Sequence, residues 1–166
     1  MPSLSELIDG YLAGSRALRQ AVAGMTREQA LARPVPGKWS TLEVVCHLAD
    51  FDPIYADRMK RIIAEERPTL IGADENRFAA TLAYHERDVE EELAIMERTR
   101  SQMARILRTL PAEALRRVGV HNERGPRSLW TPTRASAASG SVRRMRAIWE
   151  RVRSMRTSSS SRSRWW

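Results

Sequence analysis

Ser3 with Glu6, Thr26 with Gln29, and Ser40 with Glu43 each place a hydroxyl three residues ahead of a carboxylate or carboxamide, just before an apolar pattern of helical spacing. In such a capping box the hydroxyl accepts the N–H of the third helical residue, and that residue's side chain reaches back to the N–H of the cap. Helix starts are therefore set locally. After the first box, Leu4, Leu7, Ile8, Tyr11, Leu12, Leu18 and Val22 predict a helix over 4–23, ended by Gly24. The second box predicts a helical turn through Ala32, after which Pro34, Pro36 and Gly37 break the pattern. The third opens a helix from Ser40 to Glu66, with Pro53 expected to kink it and Pro68 to stop it.

Residues 69–76 read as a connecting loop. Leu82, His85, Val89, Leu93, Met96, Met103, Leu107 and Leu110 recur at three and four, which predicts one long helix over 77–110 with residues 88–92 facing mostly water. Pro111 suits the first turn of a short helix ending near Arg117, and residues 119–126 read as a loop. Three amphipathic helices without an alternating strand predict an all-α, up-and-down four-helix bundle whose fourth helix must follow Pro126.

The chain of 166 residues suffices for one domain. Its single cysteine, Cys46, allows no internal disulfide, and no apolar run reaches the length of a membrane span or signal sequence. A reducing, cytoplasmic compartment of bacterial type is expected. The net charge of +8 would suggest a nucleic-acid partner if it were spread over the whole chain. Up to Pro126, however, 18 Lys and Arg stand against 19 Asp and Glu, while ten Arg and one acid, Glu150, follow from Arg127 onward. The division predicted is a body over 1–126 and a basic Arg/Ser/Trp-rich tail over 127–166, with an amphipathic helix over 141–155 and a low-complexity, disordered run over 158–164.

That tail admits two readings. One is a basic segment for nucleic acid or an anionic membrane. The other is a reading-frame shift near Arg127 in a GC-rich gene, which would give an end of this composition. The frame that starts at the third base of each codon reads Asp across Trp130 and Thr131, and C-ending codons at Arg144 and Ala147 would give it two histidines. An intact frame in an independent isolate would exclude a shift.

Glu43, His47 and Asp50 are spaced i, i+4, i+7 and share a helix stripe. An imidazole flanked by carboxylates can hold a metal or move protons, whereas a lone histidine on a helix flank is more often hydrogen-bonded packing. Glu43 can equally be no more than the cap. His85 lies on an apolar stripe and reads as structural before ligand. His121 sits in a loop beside Asn122 and Glu123, within reach as a substitute. Cys46 is turned about 100° from His47 on the helix, so no Cys/His dyad forms, and it reads as core. Trp39 either plugs the bundle end or lines a substrate mouth. No glycine-rich phosphate loop, Ser/His/Asp set or paired-cysteine motif is present, which argues against nucleotide hydrolysis and serine hydrolase chemistry.

The stretches GKWSTLEVVCHLADFD, ADRMKRIIAEERP, DENRFA and LPAEALRRVGVHNERGP resemble the DinB/YfiT-like family of bacterial helical bundles, which is unrelated to the DNA polymerase sharing the first name. The resemblance covers residues 1–126 and is most specific at Trp39 to Asp50. It implies a four-helix bundle holding a divalent metal, zinc or nickel, on three histidines, one from the second helix and two from the fourth. It also implies thiol-dependent S-transferase or hydrolase chemistry on a small-molecule thiol or electrophile. His47 carries over as a ligand, with Glu43 or Asp50 behind it. The two fourth-helix histidines have no counterpart, so the resemblance implies an impaired site. The competing expectation is a non-enzymatic protein that binds through its tail. Without a closing helix, the exposed groove would also favour a homodimer.

Overall fold

The computed structural model describes residues 3–129. The expected tail helix over 141–155 and the run over 158–164 lie outside them. The three capping boxes form as anticipated. Ser3 caps α1 (Leu4–Val22), Thr26 caps α2 (Arg27–Leu31) and Ser40 caps α3 (Thr41–Ala64), with both reciprocal hydrogen bonds present in each. Gly24 follows α1 at φ +71°, the left-handed conformation a helix stop needs. Pro53 lies inside α3 on its exposed side.

Beyond α3 the chain departs from the periodicity. Strand β1 (Thr69–Leu70) and the start of helix α4 (Glu75–Thr81) occupy half of the expected loop. The long helix predicted over 77–110 is in fact α4, a 3₁₀ turn at Tyr84–Glu86, and α5 (Val89–Arg108). Two aspartates make the division. Asp74 accepts the N–H groups of Asn76 and Arg77, and Asp88 accepts those of Glu90 and Glu91, so each starts a new helix. Between them Ala83 adopts a left-handed backbone at φ 48°. This turn swings Tyr84 inward to 1% exposure, against Ala30, Leu42 and Cys46, and leaves Leu82 and His85 outside. Glu92, expected in water, is also buried, because Arg87 folds back onto it.

After α5 come a 3₁₀ turn (Ala112–Arg116) and the strands β2 (Val118–His121) and β3 (Gly125–Ser128), where a loop was expected. The sheet order is β1-β2-β3, with β1 parallel to β2 and β2 antiparallel to β3. Leu70 is registered with His121. Gly119 sits where a Cβ would come within 3.0 Å of Leu70 and 3.1 Å of Ile62, so a side chain there would crowd the sheet off α3. The boundary drawn at Pro126 falls inside β3, and Leu129 beyond it is 1% exposed in the core.

Helix α5 packs on both α1 and α3. One core layer holds Ile8, Tyr11, Met59, Ile62, Met103 and Leu107, and the next holds Leu18, Val22, Val45, Leu93 and Met96. Each such side chain contributes roughly 1.5–3 kcal/mol by leaving water. Among the described residues no helix is long and apolar enough to cross a membrane.

Candidate functional site

The first half of α3 carries His47 into a recess lined by aromatic rings. Its ring lies 5.1 Å from that of Trp39 and 4.5 Å from that of Phe51, and Phe78 of α4 stands 5.4 Å beyond Phe51. The side chain is 10% exposed. Trp39, half-buried and against the imidazole, is thus part of the wall of this recess. Nε2 of His47 faces Oε2 of Glu75 at 3.7 Å, an ion-pair separation that is long for a hydrogen bond. Glu75 stands in the first turn of α4, which the Asp74 cap positions.

Glu43 and Asp50 share a helix with His47 but are drawn elsewhere. Glu43 accepts the Ser40 N–H at 2.7 Å and an Arg33 hydrogen bond at 2.5 Å. Asp50 takes both ends of the Arg87 guanidinium at 2.8 Å each. Burial raises the Tyr84 hydroxyl pKa, and the neighbouring Asp50 carboxylate adds to it. Thus the carboxylate that meets His47 comes from α4, not from its own stripe. Cys46 is fully buried, with its Sγ 3.7 Å from the Tyr84 carbonyl, and burial pushes its thiol up to about 12. It is a core residue, as its helical position indicated.

Of the other two histidines, the His85 side chain is 72% exposed and its ring stands 3.6 Å from Glu86 in the 3₁₀ turn, while its carbonyl accepts from Arg27. His121 is buried at the end of β2, where its Nδ1 accepts the Glu123 N–H at 3.2 Å. That bond assigns the ring proton to Nε2, leaving it a donor. Burial first, then the charge of Arg58, holds its pKa below the usual histidine value, which keeps the ring neutral. In this arrangement neither ring nitrogen of His121 offers a lone pair to a metal.

A pocket of about 300 Å³ opens beside the recess, bounded by Phe51, Tyr55 and Arg58 of α3, Glu75 of α4, and His121 and Arg124 of the hairpin. Phe51 and Glu75 belong to both, so His47 borders the pocket through them. Three separate chain segments therefore converge on one cavity beside the middle turns of α3. Among the described residues, no group of three or more His, Cys, Asp and Glu side chains is placed to hold a metal ion. His47 and Glu75 supply two donors, and a three-histidine set does not form from the histidines of this chain.

The described residues form a helical bundle with a recessed histidine on its second long helix. The model of the DinB superfamily matches residues 12–138, and the chain belongs to that superfamily. Its fold is similar to that of YfiT from Bacillus subtilis, described as a probable metal-dependent hydrolase with an unusual four-helix bundle topology. The TM-score is 0.71, and the match covers 86% of this chain and 79% of that one at 24% identity. The architecture is accordingly the four-helix bundle read from the sequence, with the small sheet as an addition. A protein from Oceanobacillus iheyensis, named as a candidate metal-dependent hydrolase, is 29% identical over 114 residues, which are 69% of this chain and 66% of that protein. One from Geobacillus thermodenitrificans, named likewise, is 31% identical over 94 residues, 57% of this chain and 53% of that protein. The chain spans between half and two thirds of the length of these relatives.

Proposed function

We propose that this chain is an impaired member of a metal-dependent enzyme lineage, of hydrolase or thiol-dependent S-transferase type, acting on a small thiol or electrophile. The observation that carries the proposal is the partner of His47, which is Glu75 rather than another histidine. A protein site for zinc ordinarily supplies at least three ligands, and two donors hold such an ion poorly. The pair keeps a more limited capacity. The imidazole can accept a proton from a water or thiol in the recess, and Glu75 beside it favours the resulting cation. The aromatic wall of Trp39, Phe51 and Phe78 limits the competing water.

Metal content of the purified full chain tests this, with zinc and nickel added and then removed by buffer exchange. Well under one ion per chain should remain, and His47→Ala should abolish what weak binding there is. One tightly retained ion per chain, lost on His47→Ala, would overturn the impairment.

A further inference from the structure

The pocket beside His47 has a basic wall that the proposed chemistry leaves unused. Arg58 stacks over Tyr55 with its Cζ 5.3 Å from the ring centroid and donates to the Ile71 carbonyl. Among the described residues that is the one hydrogen bond its guanidinium makes, and its buried Nε has no partner. Arg124, exposed on the β2–β3 turn, brings a second guanidinium to the same cavity, and His121 brings its Nε2–H. Burial lowers the Arg58 pKa, and the charge of Arg124 lowers it further. The two cations are close enough to disfavour each other.

Three acids also line the cavity. Asp74 is committed to the cap of α4 and Glu75 faces His47. Of the three, Glu123 offsets the basic wall directly, acting on both Arg58 and His121; Asp57, which also acts on Arg58, lies outside the lining and is held by Arg61. The arrangement lacks one negative charge at the arginines and disfavours two, because a dianion would meet the three carboxylates at close range. Phe51 and Tyr55 give the rest of the cavity aromatic walls. Its volume is at the lower end of the roughly 300–1,000 Å³ that small-molecule sites occupy, too small for a peptide.

We propose that this cavity binds a small monocarboxylate, its anionic end held by Arg58 and Arg124 with His121 Nε2–H, and its body laid along Phe51 and Tyr55 toward Glu75. As a statement about the substrate this rests on the function proposed above. As a binding site it stands without it.

Benzoate, benzamide and inorganic phosphate can be titrated into the full chain and followed by NMR signals of His121 and the arginine side chains. Benzoate should shift His121 and both arginines, and neutral benzamide should bind much more weakly. Arg58→Gln and Arg124→Gln should each weaken benzoate about tenfold, the loss of one charge-assisted hydrogen bond. Arg124 is exposed, so its variant reads binding even if Arg58→Gln fails to fold. Benzoate binding is read without added metal, which separates this result from any failure of the metal experiment, and His85→Ala, at an exposed residue outside the cavity, should bind as the parent does. Equal binding of benzamide, tighter binding of phosphate, or an unchanged affinity in Arg124→Gln would each overturn the proposal.

Discussion

Arg100 of α5 crosses the bundle to Asp52 of α3 and grips it with two hydrogen bonds, Nε to Oδ2 at 2.5 Å and Nη2 to Oδ1 at 3.0 Å. The residues are 3% and 6% exposed. A third bond runs from Arg100 Nη1 to the Tyr11 carbonyl at 3.0 Å, so α1, α3 and α5 meet at one guanidinium. Removing one member strands the other charge in the core. Arg100→Met should therefore destabilise the protein by about 3–5 kcal/mol, whereas Arg100→Met combined with Asp52→Leu should recover most of the loss. Denaturant unfolding of the two variants checks this.

Ala83 at φ 48° breaks what the apolar spacing presents as a single helix. A left-handed backbone costs a residue with a Cβ on the order of 1–2 kcal/mol, and glycine escapes that cost. Ala83→Gly should raise the unfolding free energy by about 1 kcal/mol. In an uninterrupted helix the same change would lower it by a similar amount. The sign of the shift in Tm distinguishes the two arrangements.

Arg19 of α1 forks onto Glu97 of α5 through bonds of 2.7 and 3.0 Å and holds that carboxyl below its usual range. A depressed acid stabilises the fold above its unfolded pKa, and the stabilisation disappears as pH falls through the folded value. Both side chains are about a third exposed, at 38% and 34%, so solvent limits the pair to at most about 1 kcal/mol. Parent and Glu97→Gln should differ in Tm at neutral pH. The gap should close as pH falls below 4.5, the ordinary glutamate value.

Helix starts were legible because capping is local. Ser3, Thr26 and Ser40 each act with a residue three positions on, and no tertiary information is needed. The split between α4 and α5 was not, since Leu82 and His85 fit the apolar period as well as buried residues do. What decides it is Tyr84 seeking Ala30 and Leu42, more than forty positions away in the second case. Asp74 and Asp88 were the available signal, each a cap residue just before a helix. The sheet leaves no alternating pattern in the sequence because β1 has two residues and β3 contains Pro126.

At the site, pattern points to His47 but not to its partner. Helical spacing offers Glu43 and Asp50, but Arg33 and Arg87, on other segments, claim them. Glu75 lies 28 positions from His47 and meets it only because β1 and the Asp74 cap aim α4 back over α3. Which ion pairs form depends on every cation in reach, and helical spacing accounts for only those on the same helix.

The parallel register of β1 on β2 has a consequence for the pocket. Side chains alternate along a strand, so a slip of one residue would turn His121 out to solvent and put Val120 in its place. With only two residues in β1, few hydrogen bonds resist that slip, and the close seat of Gly119 on Leu70 and Ile62 adds to them and to the Gly72 N–H bond to Asn122 Oδ1. One absent methyl group thereby sets whether the cavity floor is polar or greasy, from a position that never touches the cavity itself.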